Sequence, residues 1–491
     1  VSVFRHAVAS GDPLADRVVL WTRVTTDDTD PVEVTWRLAR DPDLHDLVAE
    51  GAALADPQHD RCVHVDVGDL EPASTYFYGF EALGERSPVA RTRTLPGPGA
   101  EHLRMAMVSC AKYNAGYFNA YARIADRDLD FVLHLGDYIY EAAQNPPASQ
   151  TPPADIGRVV DPLHECVTLD DYRTRYAHYH LDPDVQALHA RHPLIAALDC
   201  HELADGAWRG GSVEHRDDRD GPWADRVASA LRARWEWMPY RKPDPEDPSR
   251  MWRSVPIGGL ADLFIIDTRS RRDEPAGGDA ARDPGRSQLG PDQRAWLLDG
   301  LGSSSAAWRL LGNSSVMGQI WDDRLTSETM PALLKLKMVE PNGRGPDPDQ
   351  WDGYPVERDQ ILRALEDRDA VVLSGDVHIG LALELKLDPT TDQEPVAGEF
   401  VTTSLTSQNV DDKMGWPPRT KSIPFEEGLV REVPHIKWCD FDSHGYVLVD
   451  VTPERVRGEW WFVDTVLEPT DGERLGSAWE VHRGSARLLP G

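Results

Sequence analysis

The chain has 491 residues, 40% of them apolar, and 83 acidic against 52 basic side chains, a formal charge of −31. That length implies more than one domain. So negative a surface excludes sequence-independent nucleic-acid binding, which needs a basic face, and argues against docking on anionic bilayers. No run approaches the roughly 18 consecutive apolar residues of a membrane span.

Residues 1–97 read as a small antiparallel β-sandwich of the immunoglobulin or fibronectin kind. RVVLWTRV, VEVTWRLA, HVDVGDL and TYFYGFEAL alternate apolar and polar residues between Gly, Pro and Asp turns. The Pro/Gly-rich TLPGPGAEH marks a boundary, and residues 98–491 form a second domain. There, apolar runs alternate with helical patterns: RMAMVSC, YFNAYARIADR, FVLHLGD, PLIAALD, ADRVASALRARWEWM, LADLFIIDTRS, PDQRAWLLDGLGSS, WRLLGNSSVMG, AVVLSGDVH and GEFVTTSLTS. Such alternation predicts an α/β architecture. HGYVLVDVTPERVRGEWWFVDTV predicts a closing hairpin, and the polar stretches 141–165 and 270–290 predict lids or binding loops. The opening VSVFRHAVASGDP shows no signal-peptide pattern, which fits a mature secreted form and a cytoplasmic protein alike. Five widely spaced cysteines without a CxxC pair exclude a disulfide scaffold and a zinc ribbon.

Four apolar runs end in residues that bind metals. FVLHLGDYIYE delivers Asp137 and Tyr140. MAMVSCAKY delivers Cys110, VVLSGDVHIG delivers Asp376 and His378, and LIAALDCHELADGAW delivers Asp199, Cys200, His201 and Glu202. Each alone reads as a helix cap or a satisfied turn. Repetition of the pattern predicts one metal site built from strand tips, where open α/β sheets bind ligands. With Asp137 between two ions, one takes Cys110, Asp137, Tyr140 and His378, and thiolate with phenolate favours Fe³⁺. The other takes Asp137, a group from the Asp199–Cys200 pair, Asn313 and Asp376, a harder set suited to Ca²⁺ or Mn²⁺. Such a pair, ~4 Å apart, activates water as hydroxide for in-line attack on phosphorus. His201 is then the acid for the leaving oxygen, with Glu202 orienting it.

VASGDPLADRVVLWTRV, SCAKY, GDYIYE, CHELADGAW, LGNSSVMGQ, SGDVHIG, EFVTTSLTS and HGYVLVDV, in that order, resemble the PhoD-type alkaline phosphatases, whose relatives include a phospholipase D of the same fold. More distantly the chain is similar to purple acid phosphatases. The resemblance implies a calcineurin-like metallophosphoesterase, a four-layer α/β sandwich behind an N-terminal β domain. It also implies hydrolysis of small phosphate mono- or diesters or of phospholipid headgroups, with Fe³⁺ held by thiolate and tyrosinate and Ca²⁺ as its partner. Cys110, Asp137, Tyr140, Asn313, Asp376 and His378 occupy that family's ligand positions. The family has Asp-Asp-His-Glu where this chain has Asp199, Cys200, His201 and Glu202. Three outcomes are open: Asp199 substitutes, a softer ion such as Zn²⁺ or Mn²⁺ binds, or the site is weak. Cys200 is otherwise a small buried residue.

Tyr138, His435 and His444 are weaker candidates for lining the pocket or touching substrate. His134 reads as a core histidine, and Asp267 with Arg269 as a structural ion pair. Trp235, Trp237, Trp460 and Trp461 read as packing residues, and Ser314, Ser315 and Ser404 lack the GxSxG elbow of a serine hydrolase. The rival to an enzyme is a non-catalytic phosphate-ligand-binding protein with a decayed metal site. The sequence leaves substrate, compartment and oligomeric state open.

Overall fold

The computed structural model describes residues 2–145, 152–241, 247–320 and 347–491. Two large sheets face each other. One has ten strands, with Leu103–Val108, Phe131–His134 and Leu194–Ala196 parallel at its centre. The other has seven, with Ala261–Ile265, Trp308–Gly312, Ala370–Ser374 and Ala397–Val401 parallel. These central strands are buried on both faces, which is why they read as unbroken apolar runs. Within Leu103–Val108 the period of two still sorts side chains: Leu103, Met105 and Met107 fill the space between the sheets, while Ala106 and Val108 face helices.

The helices form the outer layers, giving an α/β/β/α order. Asn119–Ala125, Leu169–Tyr179, Pro183–Arg191 and Trp223–Trp237 cover the first sheet, and Gly290–Ser303, Pro355–Leu365 and Ile423–Glu432 cover the second. Leu169–Tyr179 starts where the sequence tells it to: Thr168 accepts from the Asp171 N–H at 3.3 Å, and the Asp171 carboxylate accepts from the Thr168 N–H at 2.8 Å. The closing hairpin, Gly445–Val451 with Arg455–Val463, pairs antiparallel with Leu103–Val108. Two further strands, Glu473–His482 and Leu488–Pro490, extend that edge.

The N-terminal region is a sandwich that shares a sheet with the second domain. Val32–Ala39, Leu47–Ala55, Thr75–Ala82, Glu85–Arg86 and Ala90–Arg93 form a five-stranded sheet of their own. Val8–Gly11, Val18–Arg23 and Cys62–Val67 instead extend the ten-stranded sheet, with Val8–Gly11 running parallel to Leu194–Ala196. The junction is tight, since a Cβ on Gly11 would meet the Pro239 carbonyl oxygen at 2.0 Å. The stretch TLPGPGAEH is correspondingly no free hinge: Leu95 is buried and donates to the Leu14 carbonyl, and Gly99 donates to that of Gly258.

Of the expected loops, 141–165 is described apart from residues 146–151. Buried Arg175 gathers it, bonding the carbonyls of Tyr140, Ala142, Asp161, Pro162 and His164. The 270–290 stretch is anchored through Arg272, which bonds Ala207 O and Asp349. No helix among the described residues is long and apolar enough to cross a membrane.

Candidate metal centre

The parallel strands of both sheets discharge their turns at one rim. Leu103–Val108 leads to Cys110, Phe131–His134 to Asp137, Leu194–Ala196 to Asp199, Trp308–Gly312 to Asn313, and Ala370–Ser374 to Asp376 and His378. A bridge between Ser109 and Ser404 joins the two sheets there. Cys110, Asp137, Asp376 and His378 all have positive φ, between 54° and 70°. Non-glycine residues pay about 1–3 kcal/mol each for such strain, and it concentrates at functional sites. Gly136, at φ 104°, lets the Asp137 turn close on Asp199, whose Cβ would lie 2.4 Å from a Cβ at that position.

Three overlapping donor sets result, each with its ligand atoms within 4.8 Å of one another: Cys110, Asp137 and His378; Asp137, Cys200 and His201; and Asp199, Cys200 and Asp376. Asp137 belongs to the first two. Its Oδ1 accepts from the His201 N–H at 3.0 Å, while its Oδ2 is buried without a hydrogen-bond partner. Asp199 is alike: Oδ1 takes the Cys200 N–H at 2.8 Å and the Arg269 Nε, and Oδ2 has no partner. Buried polar atoms are rarely left so, and two carboxylate oxygens orphaned in one cluster of thiols and imidazoles fit a cation there. Tyr140 stands beside the first set, its hydroxyl 3.4 Å from His378 Nε2 and accepting from Ser407 Oγ at 2.6 Å. His378 Nδ1 faces the Gln408 carbonyl at 3.0 Å, which turns Nε2 toward the cluster as a metal-bound histidine requires.

The electrostatics fit the same conclusion. Burial, with Glu202 and Asp376 adding to it, pushes the Asp137 carboxyl up to about 7. Burial first, and then the carboxylates, raise the Cys110 and Cys200 thiols well above their usual range. The Tyr140 phenol is raised for the same reasons. The pocket disfavours its own anions, a penalty that a bound cation would offset.

His201 stands beside the cluster with its ring stacked on Tyr140 at 4.0 Å. Its Nδ1 lies 2.7 Å from Glu141 Oε2. Burial alone would lower this imidazole, but the carboxylates of Glu141 and Asp137 outweigh it and push it up to about 10. Glu141, not Glu202, therefore orients His201. Glu202 instead accepts the backbone N–H groups of Asp137, Tyr138 and Asp199 at 2.7–3.0 Å, clamping two of the ligand turns together.

The Asn313 side-chain oxygen accepts from Trp351 Nε1 at 3.1 Å, and its Nδ2 bonds Ser315 O and Ser374 Oγ, which holds the amide at the rim and leaves the oxygen a second lone pair. Other expectations need correction. Tyr138 packs in the core with its hydroxyl 2.8 Å from His189 Nε2. His435 faces the Gln319 carbonyl at 2.6 Å, away from the cluster. His444 lies behind the rim, between Ser404 Oγ and Asp412. Asp267 and Arg269 form no side-chain pair: Asp267 caps its turn by accepting the N–H groups of Arg269 and Ser270. Arg269, fully buried, reaches Asp199, Asp349 at 2.8 Å and Asp376 at 2.9 Å. His134 is the satisfied core histidine expected, 2.8 Å from the Tyr121 hydroxyl.

Residues not anticipated at the rim are Glu141, Gln350, which donates to Asp376, and Lys112, whose ammonium lies 5.6 Å from the centre of the Tyr140 ring. Lys112 directly follows SCA at a strand tip, a position the sequence offered.

A two-sheet sandwich that gathers these donors along one rim is the architecture of an α/β metallophosphoesterase. Comparison with known proteins agrees. The family model for the PhoD-like phosphatase matches residues 105–460, and that for the PhoD-like phosphatase N-terminal domain matches residues 2–96. Alkaline phosphatase D of Bacillus subtilis (strain 168) is 34% identical over 489 residues, covering 95% of this chain and 78% of the relative. A solved structure of PhoD superposes with a TM-score of 0.86 at 31% identity, covering 99% of this chain and 92% of the other. The chain belongs to the PhoD-like phosphatase family and is a phosphoric ester hydrolase.

Proposed function

We propose that the chain hydrolyses small phosphate monoesters and diesters at a dinuclear metal centre, with His201 as the proton donor to the leaving oxygen. The observation that carries this reading is the Asp137 carboxylate, which lies within both neighbouring donor sets and keeps one buried oxygen without a partner. Cys110, Asp137, Tyr140 and His378 would hold Fe³⁺, and Asp137, Asp199 or Cys200, Asn313 and Asp376 a divalent partner. When bound, such a pair supplies Lewis-acid charge and lowers the pKa of water toward roughly 7.

The chain's own groups do the rest. Glu141 fixes the His201 ring through Nδ1, which leaves Nε2 to donate a proton. Stacking on Tyr140 holds that ring in plane. Lys112 forms no ion pair among the described residues; with its ammonium beside the Tyr140 ring and the carboxylates of Glu141, Asp205 and Asp137 within electrostatic reach, it would favour a phosphoryl oxygen brought to the rim only against those carboxylates. Arg269 is committed to three aspartates and acts on the substrate through them.

Nitrophenyl phosphate and bis-nitrophenyl phosphate, assayed after chelation and metal restoration, test the reading. Turnover that returns with metal supports it. No turnover of either ester under any metal would leave a phosphate-binding protein. A phosphatidylcholine substrate in the same assay tests the phospholipase D alternative.

A further inference from the structure

All five cysteines are buried and free, but they are not alike. Cys62, Cys110, Cys166 and Cys439 each donate the S–H to a backbone carbonyl at 3.6–3.9 Å. Cys200 has no hydrogen bond from its sulfur to any described residue. It also belongs to two of the donor sets, with Asp137 and His201 on one side and with Asp199 and Asp376 on the other. Both Asp137 and Asp199 are fully buried and keep Oδ2 without a partner. The sulfur without a bond and the oxygens without a bond share one site.

We propose that Cys200 is a thiolate ligand of the second cation, and that this centre selects a borderline-soft divalent ion of the zinc class over Ca²⁺. The inference rests on the dinuclear reading above. Calcium takes six to eight oxygens. Here Arg269 already draws on Asp199 Oδ1 and Asp376 Oδ2, and Gln350 on the latter again. Few carboxylate oxygens remain, and a sulfur stands among them. A four-coordinate set of one sulfur with oxygens suits Zn²⁺ or Co²⁺ better than Ca²⁺. On binding, the thiol proton leaves to solvent and the sulfur lone pair forms the metal bond.

The test uses the full chain, chelated and then titrated with Co²⁺, Zn²⁺ and Ca²⁺, following bound-metal stoichiometry and the near-ultraviolet thiolate-to-cobalt band. Because Cys110 also contributes a band, wild type is compared with Cys200→Ala and with the near-isosteric Cys200→Ser. The unfolding midpoints of the metal-free variants check the fold. Wild type is expected to take up two Co²⁺, the second adding its own band. Both variants should lose that increment and weaken the second Zn²⁺ by more than the roughly 10–100-fold that a lost supporting hydrogen bond costs. Cys200→Asp should shift the preference toward Ca²⁺. A second ion bound with unchanged affinity and band in Cys200→Ala overturns this inference alone. A wild-type chain that takes up no second ion overturns the dinuclear reading with it.

Discussion

Glu141 and His201 are bound to each other across a 60-residue gap, and the pair defines what each can do. Burial would make this imidazole neutral, yet two facing carboxylates keep it charged, and Glu141 in turn is held down to about 2, where burial alone would raise it. A charged ring is a proton donor. His201→Ala should therefore cut kcat for nitrophenyl phosphate by roughly 10²–10⁴ with metal content unchanged; equal loss of metal would make His201 a ligand of the set it shares with Asp137 and Cys200. Glu141→Gln should keep the ring but loosen it, lowering kcat by about 10–100-fold. Tyr140 offers an optical readout. If its phenolate binds Fe³⁺, the protein is coloured by charge transfer, and Tyr140→Phe should bleach it. A colourless protein with stoichiometric iron would remove Tyr140 from the ligands.

At the scale of elements, the strand tips were legible because burial on both faces turns a strand into an apolar run, and a run that halts at Gly-Asp or Ser-Cys announces its own turn. Cys110, Asp137, Asp199, Asp376 and His378 were found that way. The supports were not, because their partners lie far off in sequence: Arg269 meets aspartates 70, 80 and 107 positions away. The carboxylate that orients His201 escapes the sequence for the same reason. Glu202 is adjacent to His201 in sequence, but the short 3-10 turn Cys200–Glu202 sends its side chain back to the backbone of Asp137, Tyr138 and Asp199. The turns also make a stability prediction. Gly136→Ala places a Cβ against Asp199 at positive φ and should destabilise by more than about 3 kcal/mol, seen as a lower unfolding midpoint. Gly302, in the last turn of the helix Gly290–Ser303, has nothing within 4 Å of an added Cβ. Gly302→Ala should raise stability by about 0.4–1 kcal/mol, chiefly by restricting the unfolded chain.

For the whole molecule, the shared sheet had no local signature, since Val8–Gly11 pairs with a strand more than 180 residues away. The seam this creates is lined with aromatic rings and neutral histidines. His6 meets Trp237 edge-on at 5.1 Å, His64 stacks on Trp235 at 5.2 Å, and Trp21 donates to the Glu236 carbonyl at 2.8 Å. Burial, with Arg23 and Arg5 adding to it, lowers His6 to about 3, and burial lowers His64 to about 4. Both are bases held below their unfolded value near 6.5. Above about pH 6.5 neither state binds the proton, and the seam keeps its full stability. Between about pH 6.5 and about 4 the unfolded chain binds protons that the folded chain refuses, so stability falls as pH falls. The slope is about 1.4 kcal/mol per pH unit for each such histidine. In the metal-free protein, chosen so that acid release of cations does not contribute, buried carboxyls raised to about 7, Asp137 and Glu399 among them, act in the opposite direction. The seam's share is therefore read as a difference: the unfolding midpoint of wild type relative to that of His64→Gln should fall from about pH 7 to about pH 5. A difference that stays flat over that range would mean that His64 charges within the folded state.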